Sequence, residues 1–121
     1  MSPLARSPGL TPRTLRHAIT LPRLAADAYL VIEAGDTLAV INVPAGRTQV
    51  GRGFAADIEL EDPTVSRRHA ILIRDKTGVR ILDDRSSNGV HVNGVPTSGC
   101  MLRDGDRIGL GRVRLRFILA P

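Results

Sequence analysis

The sequence predicts an all-β fold, a sandwich of two antiparallel sheets preceded by a disordered N-terminal arm. Three observations carry this. Short runs rich in Val, Ile and Leu recur at intervals of roughly eight to twelve residues, each closed by Gly, Pro, Asn or Asp. No segment sustains ten residues of helical period, apart from a weak stretch over 20–28. Only Tyr29, Phe54 and Phe117 are aromatic, so the core must be built from aliphatic side chains, which favours strands.

The 121 residues are enough for one core and divide into an arm, 1–27, and a folded domain, 28–121. Pro3, Pro8, Pro12 and Pro22 break any strand or helix period in the arm. Residues 1–26 also hold Arg6, Arg13, Arg16 and Arg23 and no acid, which accounts for +4 of the +5 net charge. The rest of the chain is almost neutral. The basicity therefore belongs to the arm and not to a nucleic-acid-reading face, and no nucleic acid is expected as a partner. The arm lacks the apolar core of a signal peptide, and no 18-residue apolar stretch exists, so no membrane span is expected. It is Arg-rich and acid-poor as transit peptides are, but a plain flexible extension is the simpler expectation.

The elements follow in order. Tyr29 to Glu33 and Leu38 to Val43 are apolar runs separated by Gly35-Asp36, and the second stops at Pro44-Ala45-Gly46. Arg47 to Val50 leads into Gly51-Arg52. Asp57 to Leu60 alternates as a half-buried strand would, and Glu61-Asp62-Pro63 ends it. Ala70 to Ile73 and Val79 to Leu82 flank Lys76-Thr77-Gly78 as a hairpin. Val90 to Val92 runs into Asn93-Gly94, the strongest short hairpin signal. After the Asp104-Gly105 turn come Arg107 to Leu110 and a last strand, Val113 to Leu119. Cys100 is the only cysteine, which excludes an internal disulfide and predicts a small buried or half-buried apolar residue. His17, His69, His91 and Cys100 lack metal-ligand spacing, so no metal and no cofactor are expected.

Three loops between these strands are rich in hydrogen-bond donors. They read Val50-Gly51-Arg52-Gly53, Val65-Ser66-Arg67-Arg68-His69-Ala70 and Asp84-Arg85-Ser86-Ser87-Asn88-Gly89. Arg52 brings a planar fork suited to a phosphate, Ser66 and Ser87 bring hydroxyls, and Asn88 brings an amide. A Ser66–His69 nucleophile and base would also need an orienting acid and an oxyanion hole. Asp83 and Asp84 carry no motif linking them to His69. The pattern is that of a site that holds an anion without transforming it.

Gly51-Arg52, Ser66-x-x-His69, Ser87-Asn88-Gly89 and Asn93-Gly94, in this order and spacing, resemble the forkhead-associated (FHA) domain family from about Tyr29 to the C-terminus. The resemblance implies a sandwich with its binding loops at one end, and a non-enzymatic module that binds phosphothreonine. It assigns phosphate contact to Arg52 and Ser66, with Arg67 or Arg68 beside them. Ser87 supports the pocket and Asn88 clamps the peptide backbone. Gly51, Gly89 and His69 brace the loops, and Thr64, Arg85 and Arg112 lie where the residues after the phosphothreonine are selected. Val90 stands where the family usually has threonine, and Arg85 where glycine is frequent.

The partner implied is a phosphothreonine-containing protein, a Ser/Thr kinase or its substrate, in the cytoplasm. Sixteen arginines against one lysine fit a GC-rich bacterial genome. Thr11 and Thr14 lie among arginines as a kinase target would. From Thr11 to Tyr29 the chain spans about 60 Å when extended, against a radius of gyration of about 12 Å for a core of this size. The arm is therefore long enough for capture by its own domain. The rival is an FHA-like interaction domain with an idle phosphate pocket, working through a sheet face or the basic arm.

Overall fold

The structure is a computed structural model and describes residues 28–34 and 36–120. The arm predicted over 1–27, with Thr11 and Thr14, lies outside the described residues. Within them the chain forms strands β1 (Ala28–Ala34), β2 (Thr37–Asn42), β3 (Gly46–Gly51), β4 (Ile58–Glu59), β5 (Ala70–Asp75) and β6 (Gly78–Asp83). Then come β7 (Val90–Val92), β8 (Val95–Thr97), β9 (Gly99–Met101), β10 (Arg107–Leu110) and β11 (Val113–Leu119). One sheet runs β2-β1-β11-β10-β7-β8 and the other β4-β3-β5-β6-β9.

Alternation decides what faces inward. Along β11, Val113, Leu115 and Phe117 are buried, while Arg114 and Leu119 are exposed and Arg116 and Ile118 half-buried. Phe117 is wholly enclosed, and removing such a side chain from water contributes about 1.5–3 kcal/mol. Leu30 and Ile32 of β1 meet Ile41 and Ala39 of β2 on one side and Phe117 and Leu115 of β11 on the other. Val50, Leu72, Val79 and Ile81 close the core from the second sheet, and Cys100 packs half-buried against it.

One strand departs from simple alternation. The predicted strand over Asp57–Leu60 shrinks to Ile58–Glu59, which pairs in parallel with the end of β3. Glu59 is buried there, because a two-residue strand pinned by Leu60 N–H to the Gly51 carbonyl (2.8 Å) does not keep the period of two. The Asn93-Gly94 hairpin joins β7 to β8, with both residues at positive φ (54° and 81°), as a tight two-residue hairpin turn requires.

The site loops all leave strand ends. β3 ends at Gly51 and delivers Arg52, while β5 starts at Ala70, just after Ser66–His69. The 84–89 loop follows the end of β6, and 111–112 is the turn between β10 and β11. Hydrogen bonds join these loops to one another. Arg52 N–H donates to Ser66 O (3.0 Å), His69 N–H to Val50 O (3.1 Å) and Asp84 N–H to His69 O (3.0 Å).

Candidate functional site

His69 sits at the centre of the loops and is fully buried. Its Nδ1 accepts from the Ser66 backbone N–H (3.0 Å), so the ring proton lies on Nε2, which donates to Gly89 O (2.8 Å). One ring thus ties the 66–69 loop to the 84–89 loop. The contact between Ser66 and His69 runs through the serine's amide. Ser66 Oγ faces the other way and accepts from Ser87 N–H (2.9 Å), which leaves its own hydroxyl proton for an outside acceptor.

Arg52 is held by one edge. Its Nε donates to Val65 O (3.0 Å), which orients the guanidinium, and its two Nη groups have no acceptor among the described residues. The neighbouring arginines differ. Arg68 forms a two-bond pair with Asp84 (3.0 and 3.3 Å), whereas Arg67 is exposed and has no acceptor among the described residues. Ser66, Arg67, Arg68, Asp84, Arg85 and Ser87 line one open cleft of about 300 Å³.

Gly51 explains how the first two loops come so close. A Cβ at this position would lie 2.0 Å from the Arg67 carbonyl oxygen and 2.7 Å from its carbon. Only glycine lets the strand end pass beneath the loop and bring Arg52 beside Ser66.

Asn88, Thr64 and Arg112 form a second group beside the cleft. Asn88 Nδ2 donates to Thr64 O (2.8 Å), and Arg112 N–H donates to Thr64 Oγ1 (2.7 Å). Asp62 anchors them, accepting at Oδ1 from Thr64 Oγ1 (2.6 Å) and Thr64 N–H (2.8 Å), with the Arg112 guanidinium 3.5 Å from Oδ2. The sequence shows Asp62 only as part of a strand breaker and Asp84 only as an acid with no motif linking it to His69. Asp62-x-Thr64 is a turn signature that points to the first; no local signal pairs Arg68 with a residue sixteen positions away. Asp83 and Ser86 also shape the 84–89 loop, Asp83 Oδ1 accepting from Ser86 N–H and Ser86 Oγ from Gly89 N–H (both 2.9 Å).

The Thr64 hydroxyl holds the Asp62 carboxyl below its ordinary value; burial opposes this, and the Thr64 amide and Arg112 add to it. A lowered folded-state value makes this contribution fully present above the unfolded value and lost as pH falls through the folded one. Asp62→Asn is therefore expected to cost about 1–2 kcal/mol at neutral pH. The gap from wild type should close as pH falls through the lowered folded-state value. Urea melts from about pH 7 to 2.5 check this. Asp75, held low by the Thr77 hydroxyl, acts in the same direction in both proteins and cancels.

The model of the FHA domain family matches residues 48–111, just over half of the chain, and takes in Arg52, the Ser66–His69 loop and the 84–89 loop. The chain belongs to the FHA domain family. It is 39% identical over 74 residues to the glycogen accumulation regulator GarA of Mycobacterium tuberculosis, a match covering 61% of this chain and 46% of that protein. The chain thus spans about half the length of the curated relatives it matches first. A structure from a study of phosphothreonine-dependent FHA domain interactions superposes with a TM-score of 0.74 at 32% identity, covering 78% of this chain and 98% of that one. Mycobacterium tuberculosis EmbR, solved with a low-affinity phosphopeptide, superposes with a TM-score of 0.72 at 35% identity over 78% of this chain and 25% of that one. Among the described residues no helix is long and apolar enough to cross a membrane, and no cluster of His, Cys, Asp or Glu fits a metal ion.

Proposed function

We propose that this domain binds phosphothreonine in a partner protein of a Ser/Thr kinase pathway, and that it does so without catalysis. The observation that carries this is a set of donors with no acceptor among the described residues: the Ser66 hydroxyl proton and the Arg67 guanidinium at the cleft, and the Arg52 Nη groups on the neighbouring loop, whose backbone N–H bonds Ser66 O. A phosphothreonine brings about −1.5 to −2 charges and three strong acceptor oxygens, which is what such a set can satisfy. Arg67 serves the ligand and Arg68 holds the loop through Asp84. Ser87 lines the pocket, Asn88 meets the peptide backbone, and His69, Gly51 and Gly89 keep the loops in register. A pathway of this kind places the protein in the cytoplasm, with a kinase or its substrate as partner.

Arg85 is the residue we assign to ligand preference. It is exposed at the rim of the cleft with φ of 61°, a left-handed conformation that costs a side chain about 1–2 kcal/mol relative to glycine. Arg85→Gly should raise stability by up to about 1 kcal/mol while weakening peptides with an acidic residue near the phosphothreonine. Parallel melts and titrations check the pair of effects; unchanged affinity for acidic peptides removes Arg85 from the site.

The function is tested with an oriented peptide library carrying fixed phosphothreonine, threonine or phosphoserine, against the chain with and without residues 1–26. Selective retention of phosphothreonine pools by both proteins is expected. Retention without phospho-dependence, lost on deleting the arm, would mean an idle pocket and arm-driven binding. The same peptides test capture of the arm. A chain phosphorylated at Thr11 or Thr14 should bind them more weakly than the untreated chain, and equal binding rejects self-capture.

A further inference from the structure

A larger cleft, about 540 Å³, lies on the outer face of the first sheet and reaches the loops at Gly111. Its floor is Gly109 of β10, which pairs with His91 of β7 on one side and Arg114 of β11 on the other. The cleft exists because Gly109 has no side chain: a Cβ there would stand 3.3 Å from Arg114 Nη1 and 3.6 Å from His91 Cβ. Arg107 and Arg114 line the walls.

The charge around this cleft is unbalanced. Arg107 and Arg116 face each other directly across β10 and β11, a like-charged cross-strand pair that is destabilising when nothing negative stands between. Arg116 Nε is buried with no hydrogen-bond partner among the described residues. Two carboxylates lie nearby. Asp106 is occupied by Asn93 Nδ2 (2.9 Å) and Arg103 N–H (2.7 Å), and Glu33, opposite Arg114 in the register, forms no ion pair with it.

The cleft is continuous with the loops. Gly111 lies on its rim, and a Cβ on Gly111 would fall 2.3 Å from Thr64 O, the same oxygen that Asn88 Nδ2 bonds. A peptide leaving the loops past Asn88 therefore meets Gly111 and then the arginine-lined groove. We infer that this groove is an extension subsite for an Asp/Glu-rich stretch of the bound partner, flanking its phosphothreonine. The inference rests on the phosphothreonine function proposed above. The chain's own arm is not the occupant, because residues 1–26 carry four arginines and no acid.

The test compares one phosphothreonine peptide in short form and with four-residue extensions, Asp/Glu or Asn/Gln, at either end. On wild type, the acidic extension at one end should tighten binding about fivefold, and the gain should shrink as salt rises. Arg107→Gln, which removes a charge, and Gly109→Leu, which fills the cleft, should abolish the gain and leave the short peptide's affinity unchanged. On wild type the acidic extension should also shift the amide resonances of His91, Gly109 and Arg114, a readout that needs no variant. Equal binding of acidic and neutral extensions, with the short peptide still bound, overturns the groove alone. Loss of all phosphopeptide binding overturns the phosphothreonine function and the groove with it. If an oligothymidylate shifts those amides and the acidic extension does not, the groove belongs to a nucleic-acid backbone and the peptide assignment is wrong.

Discussion

Gly51→Ala is expected to cost about 3 kcal/mol of folding stability and to weaken phosphopeptide binding with it. The new methyl would overlap the Arg67 carbonyl, 2.0 Å away, and crowd Ser66 O at 3.0 Å. Those are backbone atoms, so no side-chain rotation relieves the clash. The loop is also fixed from several directions, by Arg52 N–H on Ser66 O, His69 N–H on Val50 O and the His69 ring on Ser66 N–H. Relief must come from moving the Ser66–His69 loop away from Arg52, which separates the two proposed phosphate donors. Gly46→Ala is the control, since its added Cβ meets nothing within 4 Å and carries only the penalty of φ +91°. Urea denaturation of both variants decides: if Gly51→Ala is no worse than Gly46→Ala, the close approach does not limit the fold.

His69→Ala should be comparably severe, at about 3–5 kcal/mol. Two costs combine. The ring is fully buried, so truncation leaves a cavity, and Ser66 N–H and Gly89 O lose their partners. Hydrogen exchange should show the Ser66 amide losing its protection first. A loss of less than about 1 kcal/mol would mean that the loops hold one another without the ring. The same variant bears on the nucleophile-and-base alternative, because a structural brace alters stability without any ester turnover to lose.

The fold was legible because each strand is short, aliphatic and closed by turn residues, and because no helical period competes with them from Tyr29 onward. Asn93-Gly94 fixed one hairpin and Lys76-Thr77-Gly78 another, and both pairings are present. The strands not marked in advance were β8 and β9. Each has three residues, too few for a period, and β8 contains Pro96. The parallel pairing of β4 with β3 was also hidden, since nothing local to Ile58-Glu59 states which strand it joins.

The candidate site divides in the same way. Residues in motifs could be named from spacing: Arg52, Ser66, His69, Ser87 and Asn88. Their partners could not, because those contacts are made across the fold. Arg68 finds Asp84 and Arg112 finds Asp62, and in each case a carboxylate in another loop decides whether an arginine is committed. That is why Arg67 and Arg68 look equivalent in the sequence and differ in space. The outer cleft was invisible for a related reason. Gly109 reads as an ordinary strand residue until the register puts His91 and Arg114 on either side of it.

The phosphate contact proposed for Arg52 rests on its two Nη groups, which have no acceptor among the described residues. It is tested most directly by titrating the best phosphothreonine peptide and its unphosphorylated twin into wild type and Arg52→Ala, with both proteins shown to be folded. Losing a charge-assisted contact of this kind should cost roughly 2–5 kcal/mol, so affinity for the phosphopeptide should fall by more than tenfold. The unphosphorylated peptide should bind neither protein appreciably. Equal binding of the phosphopeptide by the two proteins, or equal binding of the two peptides by wild type, would mean that Arg52 does not hold a phosphate.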